Sequence, residues 1–113
     1  MKGTKTFTFR TPIFGTMEGC TFEVGKYQNG NPQVGILDGE GKRVVCITRN
    51  IPWEMKGGFI VLDLVGDCRG VDVWVRTEGI AKEFPMAEIT LGSGEKAGAA
   101  YELTEKGKEL MGL

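Results

Sequence analysis

A chain of 113 residues, 41% hydrophobic and 26% charged, has the size and composition of one small soluble domain, residues 1–113. A net charge of −1 lacks the basic footprint of a nucleic-acid binder, and no apolar run reaches the length of a membrane span. There is no histidine, which removes the commonest general base and the usual zinc ligand.

In chain order, residues 1–4 read as a loose end without the apolar core of a signal peptide. Lys5 to Arg10 alternates with period two, Phe7 and Phe9 inward and Thr6 and Thr8 toward water. Pro12 ends the clean pattern, Ile13 and Phe14 continue the strand beyond a bulge, and Met17-Glu18-Gly19 is read as a turn. Cys20 to Tyr27 is the next strand, with Cys20, Phe22 and Val24 on one face. Asn29-Gly30 predicts a type I′ hairpin turn, and Asp38-Gly39-Glu40-Gly41 a second turn of the same kind. Strands are read at Gln33 to Leu37 and Lys42 to Thr48. The second is apolar on both faces and hence interior.

Pro52 and Gly57-Gly58 mark a connection to a strand over Phe59 to Val65, and Gly66 to Gly70 marks another turn. Val71 to Thr77 shows the cleanest alternation, which predicts a strand with Val71, Val73 and Val75 buried opposite Asp72, Trp74 and Arg76. Beyond it, Glu78 to Phe84 is read as one or two helical turns, Met86 to Leu91 as a short strand and Gly92 to Gly98 as a flexible loop. Ala99 to Leu103 is read as a last strand. Thr104 to Met111 reads as a helix capped by Thr104, with Gly107 as a weak point.

The sum is an α+β, β-rich fold. It is a twisted antiparallel sheet or partly closed barrel of six or seven short strands, with one or two short helices, the last near the C-terminus. Strands 20–27, 33–37, 42–48, 59–65 and 71–77 are expected as consecutive hairpins, with Val44 or Cys46, Val61 and Val73 buried.

Tyr27, Asn29-Gly30-Asn31, Leu37-Asp38, Glu40-Gly41, Thr48, Asn50 and Pro52 form a pattern of two turns and two strands closed by T-x-N-x-P. This pattern resembles a family of short uncharacterised proteins, a domain-of-unknown-function family carried mainly on plasmids, integrative elements and prophages of gut anaerobes. The resemblance implies no enzyme activity and no transferable catalytic residues. It implies a habitat among the accessory genes of mobile elements.

Three separated cysteines, Cys20, Cys46 and Cys68, with no CxxC, fit buried free thiols in a reducing, cytoplasmic compartment, Cys68 being the most exposed of them. Asp63, Asp67 and Asp72 bracket one hairpin without the spacing of a calcium loop, so no metal and no cofactor is expected. The better candidates are aromatic. Trp74, flanked by Asp72 and Arg76, has the make-up of a protein-contact hot spot, and Trp53 in the Pro52 connection is added to the same partner-binding set. A helix covering the sheet's second face would instead bury Trp74, and Trp53 reads first as a loop tryptophan folded onto the sheet edge.

The expectation is a non-catalytic binding protein of a phage or mobile element that occupies a host protein's surface, inhibition of a host defence system being one form. A homodimer through an unpaired edge strand is compatible with it. The alternative is a small-molecule or nucleotide binder using Trp74, Arg76 and Arg49, and an enzyme using the three aspartates with a metal ranks last.

Overall fold

The structure is a computed structural model that describes residues 5–113, so the loose end expected at 1–4 lies outside the described residues. Among the described residues seven strands form two antiparallel sheets. β1 (Phe7–Thr11), β2 (Gly15–Lys26), β3 (Pro32–Leu37) and β4 (Arg43–Cys46) stand in sequence order in the first. In the second, β5 (Phe59–Asp63) and β6 (Ala87–Thr90) flank β7 (Lys96–Glu102). Two short helices, α1 (Val71–Thr77) and α2 (Glu105–Met111), complete the α+β fold, with α2 at the C-terminal end as the sequence predicts. No helix among the described residues is long and apolar enough to cross a membrane.

Local chemistry sets the hairpins. Three loops have one build, Tyr27 to Asn31, Asp38 to Lys42 and Leu91 to Glu95. In each, the first residue accepts from the N–H of the fourth, a glycine, at 2.8–2.9 Å and donates to the carbonyl of the fifth at the same distances. Gly30, Gly41 and Gly94 take φ of 89°, 82° and 89°. This is a three-residue loop, a type I turn followed by a left-handed glycine. It replaces the expected type I′ turns, because the loop holds one residue more and no non-glycine among the described residues has positive φ. The stretch 92–98 is likewise no flexible loop: it closes the β6–β7 hairpin and enters β7. At the N-terminal end the turn falls at 12–14, with Thr11 opposite Gly15, and not at Met17-Glu18-Gly19, which lies inside β2 beside a register shift.

The two sheets meet at residues 47–49. Ile47 donates its N–H to Val34 in the first sheet, while Arg49 donates to Val61 and Asp63 to Ile47 in the second, all at 2.9 Å. Thr48 stands opposite Leu62. One extended segment thus serves both sheets, which is why its sequence is apolar on both faces. The main core collects Phe9, Phe22, Ile36, Ile60, Leu62, Trp74, Tyr101, Leu110 and Met111 from both sheets and both helices, and a smaller cluster of Ile51, Val61 and Ala100 lies apart from it.

Four expectations need correction here. Val71 to Thr77 is a helix and not a strand. The same residues that alternate with period two also place Val71, Trp74 and Val75 at i, i+3 and i+4, and those three are buried. Gly70, at φ 85°, starts the helix, and Asp72 and Arg76 pair across one turn at 3.7 Å. Val73 consequently faces outward, 54% exposed, and is not a core residue. Second, β5 does not pair with 71–77 but with β7, forty residues on. Third, the segment expected as helix after Glu78 is extended: Ala81 bridges Leu103, and Lys82 donates to the Glu102 carbonyl at 2.9 Å. Ala81 opposes Leu103 while Ala87 opposes Ala100, so three extra residues, Glu83-Phe84-Pro85, loop outward. Fourth, Val44 and Cys46 are only half-buried; Val61 is buried as expected.

α2 is capped as the sequence indicates, with Thr104 Oγ1 accepting from Gly107 N–H at 3.0 Å. Gly107 is a requirement rather than a weak point. A Cβ there would overlap the Ile80 carbonyl oxygen, backbone that cannot swing away. Helix propensity favours alanine by about 1 kcal/mol, whereas forced overpacking costs typically about 1–3 kcal/mol and occasionally more. The clash wins. Gly107→Ala is expected to lower unfolding free energy by about 2 kcal/mol in urea titration; a variant as stable as the parent would show that α2 can shift off Ile80.

Candidate binding groove

α1 packs beside β1, the outermost strand of the first sheet. An edge strand turns a row of backbone donors and acceptors outward, and covering them is one way a fold avoids stray pairing. Trp74 does this directly: its Nε1–H donates to the Thr8 carbonyl at 2.9 Å. The indole sits among Phe7, Phe9 and Phe22, edge-on to Phe9 at 4.9 Å between centroids, and is 4% exposed. Trp74 is therefore a core residue and not the exposed centre of a strand face. The helix turns it inward, and the covered alternative weighed for it is the one observed.

A half-open groove of about 670 Å³ runs between α1 and the β1–β2 hairpin. Its helix wall is Gly70, Val73, Thr77 and Glu78, with Trp74 as floor; its sheet wall includes Thr8, Arg10, Thr16 and Glu18. Arg10 Nε donates to Thr16 Oγ1 at 3.2 Å. Eight ion pairs stud the described residues elsewhere, yet Arg10, Glu18 and Glu78 belong to none of them. A second, smaller hollow of about 360 Å³, lined by Val73, Arg76, Thr77 and Glu83, lies across the α1 ridge.

Of the residues singled out from sequence, Asp72, Trp74 and Arg76 come together on α1, with Arg76 Nε also donating to the Asp72 carbonyl at 3.2 Å. Trp53 does not join them. It lies in the 50–57 connection, 61% exposed, where its carbonyl accepts from Asn31 Nδ2 at 2.9 Å. A tryptophan folded onto the sheet edge is thus not what the structure shows. Arg49 is also apart, facing Asp63 at 3.9 Å beside Gly98. Sequence reasoning missed Thr8, Arg10, Thr16, Glu18 and Glu78, which a groove on β1's outer face requires. The alternation that turned Phe7 and Phe9 inward already turned Thr8 and Arg10 outward.

The residues of the central pattern form a polar knot. Tyr27 Oη lies 3.1 Å from Thr48 Oγ1, which accepts Val34 N–H at 3.1 Å. Asn29 Nδ2 donates to the Ile51 carbonyl at 2.7 Å, Asn31 Nδ2 to Asn50 Oδ1 at 3.1 Å, and Asn31 Oδ1 accepts Met55 N–H at 2.7 Å. They tie the first hairpin to the crossover loop. No family model matches the chain, and no curated protein and no solved structure matches it either.

The aspartates do not converge. Asp63 faces Arg49, Asp72 faces Arg76, and no cluster of three or more metal-ligating side chains occurs among the described residues. Cys68, expected to be the most exposed thiol, is buried, and its Sγ–H donates to the Cys46 carbonyl at 3.2 Å. Burial, with Asp63 and Cys46 nearby, pushes its pKa up to about 12. The neutral thiol is the form the fold holds. Its contribution is intact below the ordinary value of 9.0 and is lost as pH rises from there toward 12.

At pH 8 the Cys68 thiolate is roughly one part in ten thousand. A thiol reagent should therefore label half-buried Cys46 alone in the native protein and all three cysteines in denaturant. Rapid native labelling of Cys68 would place it outside the core. Trp74→Ala should cost about 3–5 kcal/mol of stability, and Val73→Asp within about 0.5 kcal/mol of none, both read by urea denaturation. The reverse order would restore the strand reading of 71–77.

Proposed function

We propose that the protein is a small non-catalytic binding protein that occupies the surface of another protein through the α1 groove and its Val73 ridge. The observation that carries this reading is the groove itself. It is an open trough with an apolar ridge and floor, rimmed by Arg10, Glu18 and Glu78, charges that no ion pair among the described residues uses. Exposed apolar surface beside uncommitted charge suits protein recognition.

A nucleotide is the weaker reading. The volume suits a small molecule, but two glutamates against one arginine repel phosphate. Arg49, invoked for that reading, lies by Gly98, while Arg76 lies toward Tyr101; three residues apart on β7, these two point to opposite faces. The central pattern's resemblance to mobile-element proteins supports a host protein as partner, an inhibitor of a host defence system being one concrete form.

The test uses Val73→Asp as a bait against wild type in parallel affinity purification from host cells. A partner held through this ridge should lose about 2 kcal/mol of affinity, roughly thirtyfold, and drop out of the variant's eluate. An unchanged set of bound proteins with a folded variant would remove the groove from the function.

A further inference from the structure

We propose that the free edge of β6, residues 86–91, pairs antiparallel with the same edge of a second copy of this chain. Following hydrogen-bonded neighbours, the strands run β1, β2, β3, β4, then through residues 47–49 to β5, β7 and β6. Only β1 and β6 end that path. The β1 end is covered by α1, with Trp74 on the Thr8 carbonyl. The β6 end is bare among the described residues: Ala87, Glu88, Thr90 and Leu91 are all exposed.

Edges that stay single are blunted by lysine, proline, a bulge or an inward charge. Within 86–91 the one such device is a register shift between Ile89 and Thr90, and its extra residue, Ala97, stands on β7 and leaves the outer edge of β6 without an inserted residue. There is no lysine, arginine or proline in the run, and its one charge, Glu88, is held by Lys96 at 2.6 Å. Pro85 and the outward loop Glu83-Phe84-Pro85 lie just before it.

The surface is also self-complementary. Met86 is 65% exposed, Phe84 77%, and Leu91 is exposed at the other end of the run. A two-fold axis through Ile89 sets Ala87 against the second copy's Leu91 and Glu88 against its Thr90, keeping the two glutamates apart. A six-residue strand pair with flanking apolar side chains falls at the small end of specific interfaces, so the dimer is weak and concentration-dependent.

The experiment is sedimentation equilibrium of the full chain from about 1 µM to about 1 mM, the range over which weak complexes dissociate. Mass should climb from 12.3 kDa toward twice that value. Met86→Lys with Leu91→Lys should hold the protein at monomer mass, whereas Trp53→Ser, a change at an equally exposed aromatic outside this edge, should leave association intact. A monomer throughout the range, association surviving the double lysine variant, or its loss with Trp53→Ser would each overturn the proposal. Should the double variant unfold, amide exchange of the wild type decides. Protection of 86–91 that rises with concentration supports the pairing, and its absence or appearance elsewhere overturns it.

Discussion

Everything beyond the first four strands hangs on the three residues at which one strand changes partners. Ile47 gives its N–H to the first sheet and Arg49 gives its own to the second. Between them Thr48 is buried, and its hydroxyl is held by the Val34 N–H and the Tyr27 phenol. A buried donor left unpaired costs about 1–3 kcal/mol, so this small group of bonds fixes where the second sheet can sit. Asn31 does the same for the loop that follows, accepting from Met55 and donating to Asn50 and Trp53. With both fixed, β5 is delivered to the position where β7, arriving much later in the chain, can pair with it.

Features set by neighbours in sequence were legible there. The turns after β2 and β3 were, in place though not in type, because a glycine at the fourth position of each loop answers a local steric demand that an L side chain meets poorly. The Thr104 cap was legible for the same kind of reason. Features set by distant contacts were not. Val71 to Thr77 satisfies a strand period and a helix period at once, and its β-branched residues lean toward strand. What decides is the indole. Propensity differences among ordinary residues reach about 0.7 kcal/mol each, while burying a large aromatic among Phe7, Phe9 and Phe22 contributes several times that. Only the helix brings Trp74 inward with Val71 and Val75. Gly107 was misread in the same way: helix propensity counts against glycine, but the Ile80 carbonyl that excludes any side chain lies far away in sequence.

The candidate site was legible in part. Asp72, Trp74 and Arg76 lie on the element that walls the groove, but as a helix it displays other side chains than the strand reading does. The strand reading displays Trp74 and hides Val73, whereas the helix hides Trp74 and displays Val73 with Thr77. The opposite wall comes from residues 8–18 and could be joined to α1 only by knowing that Trp74 reaches Thr8. The aromatic at 74 thus shapes the groove without being offered to a partner, since it sets the spacing between helix and edge strand.

The groove and the bare edge are closer in space than their places along the strand path suggest. Val73 and Thr77 line both hollows on either side of α1, and the smaller hollow also takes in Glu83, the first residue of the outward loop that leads into β6. The Val73 ridge and the proposed seam are therefore separated by one small hollow. Pairing across β6 would bring two copies of the ridge into one two-fold assembly, where a partner with repeated contact points would gain effective concentration without any new contact. Weak self-association would then matter most when a symmetric or repetitive partner is present.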